Sequence, residues 1–334
     1  MIVAIASGKG GTGKTTVATC LARLLARRLG AVQLLDCDVE APNCHILLQA
    51  QPVPHAEVQL PVPVVDSATC NACGACVEAC QMNALAKIRD RVFVAEELCH
   101  GCGACSDVCA EGAITERART IGRIARVVDH GIELIEGRLN VGQPAGAPVI
   151  RAVRRTSRES ADDRNLTIID SPPGTSCSMV AAVREVDHLL LVTDPTPFGL
   201  HDLKLADQTA TELGLSRAVI VNRCDVTGPC HAKDGDLRDY CRRQSLEIVA
   251  EIPDRRGIAE AHATGQCLPR LVAELHSRGE GSAENAPGEA DDAQKTAIAP
   301  LAQAMEAVAD WVVGRLQKEP SRWSASSPES EPRP

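Results

Sequence analysis

The stretch Gly8-Lys9-Gly10-Gly11-Thr12-Gly13-Lys14-Thr15-Thr16 decides the fold of this 334-residue chain. It follows the apolar run Ile2 to Ala6 and leads into a helical pattern that begins at Val17. The spacing G-x-x-x-x-G-K-T between a strand and a helix predicts a loop whose backbone N–H groups surround phosphate oxygens. The positive end of the following helix favours the same anion. We therefore expect a nucleoside triphosphate site, with Lys14 at the β and γ phosphates and Thr15 on Mg²⁺.

The composition limits the class of protein. The chain is 44% hydrophobic with almost no aromatic residues, so we expect a core of Val, Ile, Leu and Ala, as in parallel α/β sheets. A net charge of -9 without an aromatic-interleaved basic stretch argues against a nucleic-acid partner. The lack of a run of about eighteen apolar residues argues against stable membrane insertion. Sixteen cysteines beside a phosphate loop indicate metal ligands in a reducing cytoplasm rather than disulfides.

Short apolar runs that end in acidic or polar residues alternate with helical patterns along the chain. The runs are 31–38, 166–170, 188–194, 218–222 and 248–252, with further strand-rich sequence at 121–136 and helices near 148–155 and 199–213. This alternation predicts an α/β fold with a mostly parallel sheet and right-handed crossovers. Ligands of such sheets bind at the carboxyl ends of the strands, where several of these acids stand.

A block of eight cysteines interrupts this pattern, after a proline-rich passage at 51–65 that we interpret as a linker. Two runs with the spacing C-x2-C-x2-C-x3-C stand 29 positions apart, and the duplication continues from Ala84-Leu85 to Ala113-Ile114. The whole insert resembles the two-cluster bacterial ferredoxins, in which the fourth cysteine of each run serves the other cluster. We therefore assign one [4Fe–4S] cluster to Cys70, Cys73, Cys76 and Cys109, and a second to Cys99, Cys102, Cys105 and Cys80.

The insert departs from that family in one respect. Gln81 and Ala110 follow the fourth cysteine of each run, where the ferredoxins usually have proline. The change loosens a turn but removes no ligand. Zinc is the alternative occupant, although zinc sites favour paired C-x-x-C motifs separated by longer gaps.

Lys9, which precedes two glycines, distinguishes this loop from an ordinary phosphate loop. The pattern K-G-G-x-G-K-T resembles the deviant Walker A motif of the superfamily of MinD, ParA, Mrp and the nitrogenase iron protein. The resemblance covers 1–61 and about 118–270, and with the cysteine insert it narrows to MinD-like ATPases that carry an inserted ferredoxin domain. It implies a P-loop NTPase fold with a small α+β ferredoxin-like insert.

The resemblance also implies roles for individual residues at the phosphates. Lys9 reaches the phosphates of the partner subunit in a dimer that encloses ATP, and Asp38 orients the attacking water. Asp36 supports Mg²⁺ or its waters, and Asp170 in the segment I-I-D-S-P-P-G is the Walker B acid. The N–H of Gly174 senses the γ-phosphate. The loop residues that would hold ATP and Mg²⁺ are Gly8, Lys9, Gly10, Gly11, Thr12, Gly13, Lys14, Thr15 and Thr16.

Two further segments are expected at the base of the nucleotide. Asn222-Arg223-Cys224-Asp225 resembles the N-[KR]-x-D element that recognises the base, with Asn222 on adenine. Pro253 and Asp254 stand where the family has its purine-contacting loop. Cys177 lies seven residues after Asp170, an offset at which the nitrogenase iron protein has a ligand of a shared cluster; we favour a small buried residue instead.

The expected organisation is one ATPase domain with an insertion and a C-terminal extension. Its parts are 1–61 (ATPase, first part), 62–117 (ferredoxin-like insert), 118–275 (ATPase, second part), 276–298 (flexible loop), 299–318 (helix) and 319–334 (disordered tail). The stripe of apolar residues from Leu301 to Leu316 favours a helix packed on the domain over one on a membrane surface, because its polar face carries mixed charges.

Three functions are compatible with these motifs. The first is a slow, partner-dependent ATPase that works as a homodimer or with a related ATPase and couples nucleotide state to two [4Fe–4S] clusters for electron transfer or redox gating. Its redox partner or metalloprotein target is not identified by the sequence. The alternatives are a factor for iron–sulfur or metallocofactor assembly and a spatial-positioning ATPase of the partitioning type. An amidating synthetase remains a further possibility, although no glutaminase cysteine–histidine pair supports it.

Overall fold

A nine-stranded sheet forms the centre of the computed structural model, which describes residues 1–159, 166–226, 235–264, 266–277 and 289–318. Its strand order is β11-β10-β9-β1-β8-β2-β7-β6-β3. The strands are β1 (Ile2–Ala6), β2 (Val32–Asp36), β3 (Val53–Val65), β6 (Ile114–Asp129), β7 (Ile132–Leu139), β8 (Thr167–Asp170), β9 (His188–Thr193), β10 (Ser216–Asn222) and β11 (Glu247–Ile252), while β4 (Leu85–Ile88) and β5 (Arg91–Val94) form a separate hairpin. The seven strands from β11 to β7 run parallel to one another. At the edge next to β7, β6 pairs antiparallel to β7 and β3 pairs antiparallel to β6.

Helices cover both faces of the sheet. Successive residues of a strand point to opposite faces, so the apolar residues of β1 are buried on both sides. On one face Val3 and Ile5 are buried with the helices Lys14–Leu29 and Glu289–Lys318, and on the other Ala4 and Ala6 are buried with the helices Ala147–Glu159, Cys177–Val183 and Pro197–Glu212. The helices are α1 (Lys14–Leu29), α2 (Cys44–Leu48), α3 (Ala75–Ala79), α4 (Ala104–Asp107), α5 (Ala147–Glu159), α6 (Cys177–Val183), α7 (Pro197–Glu212), α8 (Gly235–Arg243), α9 (Arg256–Ala263), α10 (Leu268–Ser277) and α11 (Glu289–Lys318). The mostly parallel α/β fold predicted from the sequence is confirmed.

The linker predicted at 51–65 is wrong, because these residues form the long strand β3. β3 pairs with β6 over most of its length and is the last strand of the sheet. Proline lacks the N–H that a central strand needs, but an edge strand tolerates it. Pro54, Pro61 and Pro63 all lie on this edge, and the ladder is irregular near Pro54 and Val58.

The ribbon of β3 and β6 carries the cysteine block at its end. The predicted domain boundaries, 61/62 and 117/118, fall inside these two strands and directly opposite each other, with Pro61 paired to Ala118 and Val62 paired to Arg117. Beyond the ribbon, α3, α4 and the β4–β5 hairpin enclose a small core of Cys76, Leu85, Cys105 and Ile114.

The C-terminal helix packs on the domain, as predicted, but it begins earlier than expected. α11 starts at Glu289 instead of 299, so the helix occupies part of the predicted loop. Met305, Val308 and Val312 are fully buried against the sheet and α1. The rest of the predicted loop at 278–288 and the tail at 319–334 lie outside the described residues.

Candidate functional site

The phosphate loop is shaped by glycines that other residues could not replace without strain. Gly11 and Gly13 have φ values of 74° and 95°, in the left-handed region that favours glycine. A Cβ on Gly13 would lie 2.5 Å from Nδ2 of Asn222, and that amide donates a hydrogen bond of 2.7 Å to the carbonyl oxygen of Thr12. The loop is therefore held from the end of β10, and Gly8 packs equally tightly on the backbone of Asp202 in α7.

Lys14, at the start of α1, lies between two carboxylates at the carboxyl ends of β2 and β8. Its side chain is buried, and burial lowers the pKa of its ammonium group while the charges of Asp170 and Asp38 oppose the shift. Asp38 is half-buried, and burial raises the pKa of its carboxyl group, although the charge of Lys14 partly opposes this shift. The predicted catalytic residues Lys14, Asp38 and Asp170 are thus brought together beside the loop.

Asp170 has the properties of an acid that holds a divalent cation through water. The Thr15 hydroxyl hydrogen-bonds its carboxylate, which is completely buried. Its Oδ1 atom has no hydrogen-bond partner among the described residues, and neither has the buried hydroxyl of Thr12. A buried acceptor without a partner is costly, so a ligand in contact with it would be stabilising. These groups fit Mg²⁺, which prefers oxygen ligands and retained waters.

Asp36 lies next to Asp170, because the two residues are paired in register on β2 and β8. Burial is the main cause that raises the pKa of both carboxyl groups. For Asp36, the negative charge of Asp170 raises the pKa further. The Asp36 carboxylate already accepts the backbone N–H groups of Asn43 and Cys44, each at 2.9 Å. These hydrogen bonds hold the start of α2 in place. The thiol of Cys44, the first residue of α2, contacts the Asp170 carboxylate at 3.6 Å.

Lys9 lies on the outer side of the loop and points to a residue that was not predicted from the sequence. Its Nζ is 2.9 Å from Oδ2 of Asp194, at the end of β9. Asp194 is nearly buried, and its other carboxylate oxygen accepts a hydrogen bond from Thr196. The available signal was the apolar run 188–193 followed by an acid at the ligand-binding edge.

Gly174 also contacts the phosphate loop. Its φ is 87°, and its N–H donates a hydrogen bond of 3.0 Å to the carbonyl oxygen of Ser7. The segment after β8 is thereby tied to the residue that precedes the loop. The N–H expected at the γ-phosphate is occupied by this contact in the structure.

A cavity of about 140 Å³ opens beside Gly13 and lies where a base would be expected. Asn222 and Pro253, both predicted, line it, and so does Thr16. Asp225 is not part of the lining but binds the N–H of Asp254 at 2.6 Å and the guanidinium of Arg255 at 2.6 Å. Arg223 of the expected N-[KR]-x-D element also lines it, and the lining residues that were not predicted from the sequence include Arg255, Ile258, Ala259 and Leu301.

Seven of the eight cysteines of the insert fall into two groups by their electrostatic interactions, and the fourth cysteine of each run lies near the other run. Cys73 is assigned by its position in the first run. Burial raises the pKa of the Cys76 thiol, and Cys70 and Cys109 add to that shift. Burial likewise raises the pKa of Cys99, with Cys102 and Cys80 adding and Arg119 opposing. We call Cys70, Cys73, Cys76 and Cys109 the first cysteine set, and Cys99, Cys102, Cys105 and Cys80 the second cysteine set.

Backbone N–H groups point at the sulfur atoms in a pattern that repeats after 29 residues. Ala72 and Gly101 donate to the sulfur two residues earlier, on Cys70 and Cys99, each at 3.4 Å. Ala84 and Ala113 donate to the sulfur four residues earlier, on Cys80 and Cys109, at 3.2 and 3.3 Å. Donors of this kind stabilise thiolates that bind iron–sulfur clusters, so the residues present fit such groups.

The interpretation of Cys177 as a small buried residue is wrong, because its side chain is exposed at the start of α6. The backbone after Asp170 runs outward through Gly174 before the helix begins, which leaves the thiol at the surface.

Across the described parts of the chain, none of the helices combines the length and the apolar character needed to cross a bilayer.

Comparison with known proteins identifies the family and relates the fold to solved structures. Residues 3–268 match the family model of the CobQ/CobB/MinD/ParA nucleotide binding domain. An uncharacterized protein of Methanocaldococcus jannaschii (MJ0579) is 34% identical over 230 residues, which are 68% of this chain and 81% of that protein. The solved structure of the MinD cell division protein of Aquifex aeolicus has a similar fold, with a TM-score of 0.54 at 17% identity and coverage of 94% of this chain and 96% of that one.

A shorter similarity involves a protein with a named function. An iron-sulfur cluster carrier protein of Synechocystis is 47% identical over 68 residues, which are 18% of this chain and 19% of that protein.

Proposed function

The chain belongs to the CobQ/CobB/MinD/ParA nucleotide-binding family, and from this membership we propose that it is an ATPase that couples ATP hydrolysis in a dimer to two [4Fe–4S] clusters. The coupling would serve electron transfer or redox gating. One observation carries the proposal: a single chain combines a phosphate loop, which follows β1, with a repeated set of cysteines that has matching N–H···S contacts and lies between β3 and β6 of the same sheet.

In this proposal the nucleotide site combines one subunit's loop with a lysine from its partner. Lys14 would bind the β and γ phosphates, and Thr15 and Asp170 would hold Mg²⁺, which would neutralise charge on the phosphates. Asp38 orients the attacking water, while Lys9 leaves Asp194 and reaches the phosphates of the partner subunit. Asn222 and Pro253 would border the adenine in the cavity beside Gly13.

The two cysteine sets would hold one [4Fe–4S] cluster each, and each cluster would supply a one-electron carrier. The thiol groups bind as thiolates, and the backbone N–H groups of Ala72, Gly101, Ala84 and Ala113 stabilise that charge. We propose that 62–117 is a ferredoxin-like domain inserted between ATPase segments 1–61 and 118–275. Its location would be the cytoplasm, where ATP is available and thiols stay reduced.

Assembly of iron–sulfur proteins is the second candidate function, and the match to a cluster carrier protein favours it. That match covers only a fifth of the carrier, however, and the chain has no C-x-x-C pair outside the insert. Eight ligands in the ferredoxin pattern also bind clusters for retention rather than transfer. The fold similarity to MinD supports a shared architecture and leaves a spatial-positioning role as the weakest candidate.

An anaerobic comparison of nucleotide states tests the proposal. The full chain is reconstituted with iron and sulfide, its iron content is measured, and its cluster potentials are recorded with and without a non-hydrolysable ATP analogue. Coupling predicts eight irons per chain, from two four-iron clusters, and a shift of at least one potential on nucleotide binding. Lys14→Ala, which removes the charge at the β and γ phosphates, should abolish the shift while leaving the iron content unchanged.

Two outcomes would redirect the assignment. Potentials that ignore the nucleotide, together with loss of iron to an apo-ferredoxin acceptor, would favour the assembly function. Failure to bind iron at all would remove both candidates and leave a nucleotide-binding protein with an empty cysteine insert.

A further inference from the structure

The two halves of the insert differ in how they contact the ATPase sheet. Gly101, in the second run of cysteines, has a φ of 70°, and a Cβ there would lie 3.1 Å from atoms of Pro61 in β3. The counterpart of Gly101 in the first run is Ala72, but the two glycines that do correspond differ in the same way. A Cβ on Gly103 would lie 3.4 Å from Oε1 of Glu116 on β6, whereas a Cβ on Gly74 would meet only the side chain of Lys87 from the β4–β5 hairpin within 4 Å. The second cysteine set is therefore the one that adjoins the sheet.

Two arginines on β6 converge on one glutamate just before the second run. Arg117 forms an ion pair with the carboxylate of Glu96, whereas Arg119 donates from Nη1 to the main-chain carbonyl oxygen of the same residue. The N–H of Cys99 donates to that same carbonyl oxygen at 3.1 Å. Arg117 and Glu96 offset each other's charge, and the second cation, Arg119, shares an acceptor atom with the N–H of a proposed cluster ligand.

Among the residues that the structure describes, none supplies an equivalent cation at the first cysteine of the first run. The N–H of Cys70 donates to the main-chain oxygen of Asp66, and the Asp66 carboxylate is engaged by Thr69 and Ala68. A second acid, Glu111, is hydrogen-bonded by Asn71 at 3.0 Å. The charged residues linked by hydrogen bonds to the first cysteine of each run, Arg119 in the second and Asp66 in the first, therefore differ in sign, and the exposed Glu97 beside the second run reduces this difference.

One pair of residues opposes this asymmetry. Lys87 lies near the loop of the first run, and Glu116, at the equivalent position of the repeat, accepts a hydrogen bond from Ser106 in the second run. These two side chains are exposed, as are Asp66 and Glu111, and water and salt screen exposed charges strongly. Arg119 is half-buried, so its charge is less screened by water and acts on Cys99.

We propose that Arg119 raises the reduction potential of the second cysteine set above that of the first, so that the first electron taken up by the protein is held beside the ATPase sheet. The inference rests on the proposed function, since it requires a cluster on each set. Reduction adds one negative charge to a cluster, and a fixed cation nearby stabilises that charge. In the experiment dithionite supplies the electrons and is oxidised to sulfite, while each cluster accepts one electron.

Arg119→Gln and its neighbour Arg117→Gln form a matched pair for the test. The reconstituted full-length proteins are titrated with dithionite at controlled potential, and the reduced clusters are counted by electron paramagnetic resonance. We expect two resolved steps in the unmodified protein. Arg119→Gln should lower the potential of the higher step and leave the lower one in place, whereas Arg117→Gln, whose charge Glu96 already neutralises, should shift the higher step less.

Replacing one exposed ligand in each set identifies the steps. Cys102→Ala should alter or remove the signal of the higher step, and Cys73→Ala that of the lower step. The inference is overturned if Arg119→Gln leaves both potentials unchanged, if Arg117→Gln has the larger effect, or if Cys73→Ala removes the higher step. Lack of iron in the unmodified protein would instead contradict the proposed function, so the two failures are distinguishable.

Discussion

Lys9 and Asp194 form an ion pair across the outer side of the phosphate loop, with 2.9 Å between Nζ and Oδ2. The lysine comes from the loop and the aspartate from the end of β9, so the pair fastens the loop to its own subunit. The Lys9 side chain is about one-third exposed and Asp194 is nearly buried. In the proposed dimer Lys9 must exchange this partner for the phosphates of the other subunit.

Removal of the Asp194 charge should therefore favour the dimer. A partly exposed ion pair contributes about 1 kcal/mol at most, so Asp194→Asn should strengthen ATP-dependent dimerisation by up to about fivefold. Sedimentation velocity over a range of protein concentrations, with and without ATP, measures the effect. Lys9→Ala is the control and should bind ATP without dimerising. Equal dimerisation of Asp194→Asn and the unmodified protein would show that the ion pair does not restrain Lys9.

Gly13→Ala should damage the loop, whereas Gly10→Ala should leave the fold intact. Alanine at 13 requires a φ of 95° and places its Cβ 2.5 Å from the Asn222 amide, whereas a Cβ at 10 meets no atom within 4 Å. The left-handed conformation alone costs about 1–2 kcal/mol. Thermal unfolding should show a lower Tm for Gly13→Ala and an unchanged Tm for Gly10→Ala. A normal Tm for Gly13→Ala would contradict the strained geometry of the loop.

Stability without Mg²⁺ should fall as the pH rises from about 4 into the neutral range. Burial raises the pKa of Asp36 and Asp170 in the folded chain, so the folded state keeps protons that the unfolded state releases in this interval. The folded state then binds more protons than the unfolded state, and the free energy of unfolding decreases with pH. Urea denaturation of the metal-free protein at several pH values measures the slope.

Asp36→Asn provides the control for the pH effect. It removes one of the two adjacent carboxyl groups, so the decline in stability should become shallower. Saturating Mg²⁺ and nucleotide should also reduce the decline, because the cation stabilises the ionised Asp170. A slope that neither change affects would assign the pH dependence to other groups.

Met305→Ala should destabilise the fold, because the side chain is fully buried between α11 and the sheet. Removal of a buried methionine side chain costs about 2–5 kcal/mol, depending on how far the surroundings collapse. Gln303→Ala, on the exposed face of the same helix, should change stability by no more than about 0.5 kcal/mol. Similar effects of the two variants would mean that α11 is not part of the core.

Much of the fold was predictable because the apolar runs are continuous and end at charged or polar residues. Asp36 and Asp170 are the last residues of the buried parallel strands β2 and β8, and the phosphate loop forms the expected turn between β1 and α1. The prediction failed at β3, where prolines suppressed the strand signal. Their tolerance depends on the strand being at an edge, and edge position is a property of the whole sheet.

The sequence predicted which residues lie at the site better than it predicted the contacts that these residues make. Asn222 stands beside the cavity as expected, yet its amide holds the Thr12 carbonyl, which no local pattern indicates. Asp194 was missed because its partner Lys9 lies far away along the chain. Cys177 is exposed rather than buried, since the chain leaves the sheet after Asp170 before α6 begins.

The pairing of Val65 with Ile114 makes the cysteine block a removable part of the chain. Paired residues on neighbouring strands stand only about 5 Å apart, so the two ends left by deleting 66–113 could be joined by a short hairpin turn. Such a shortened chain would retain every strand of the nine-stranded sheet and its phosphate loop. A cysteine module could therefore be gained, lost or exchanged between relatives without any change in the topology of the domain that binds the nucleotide.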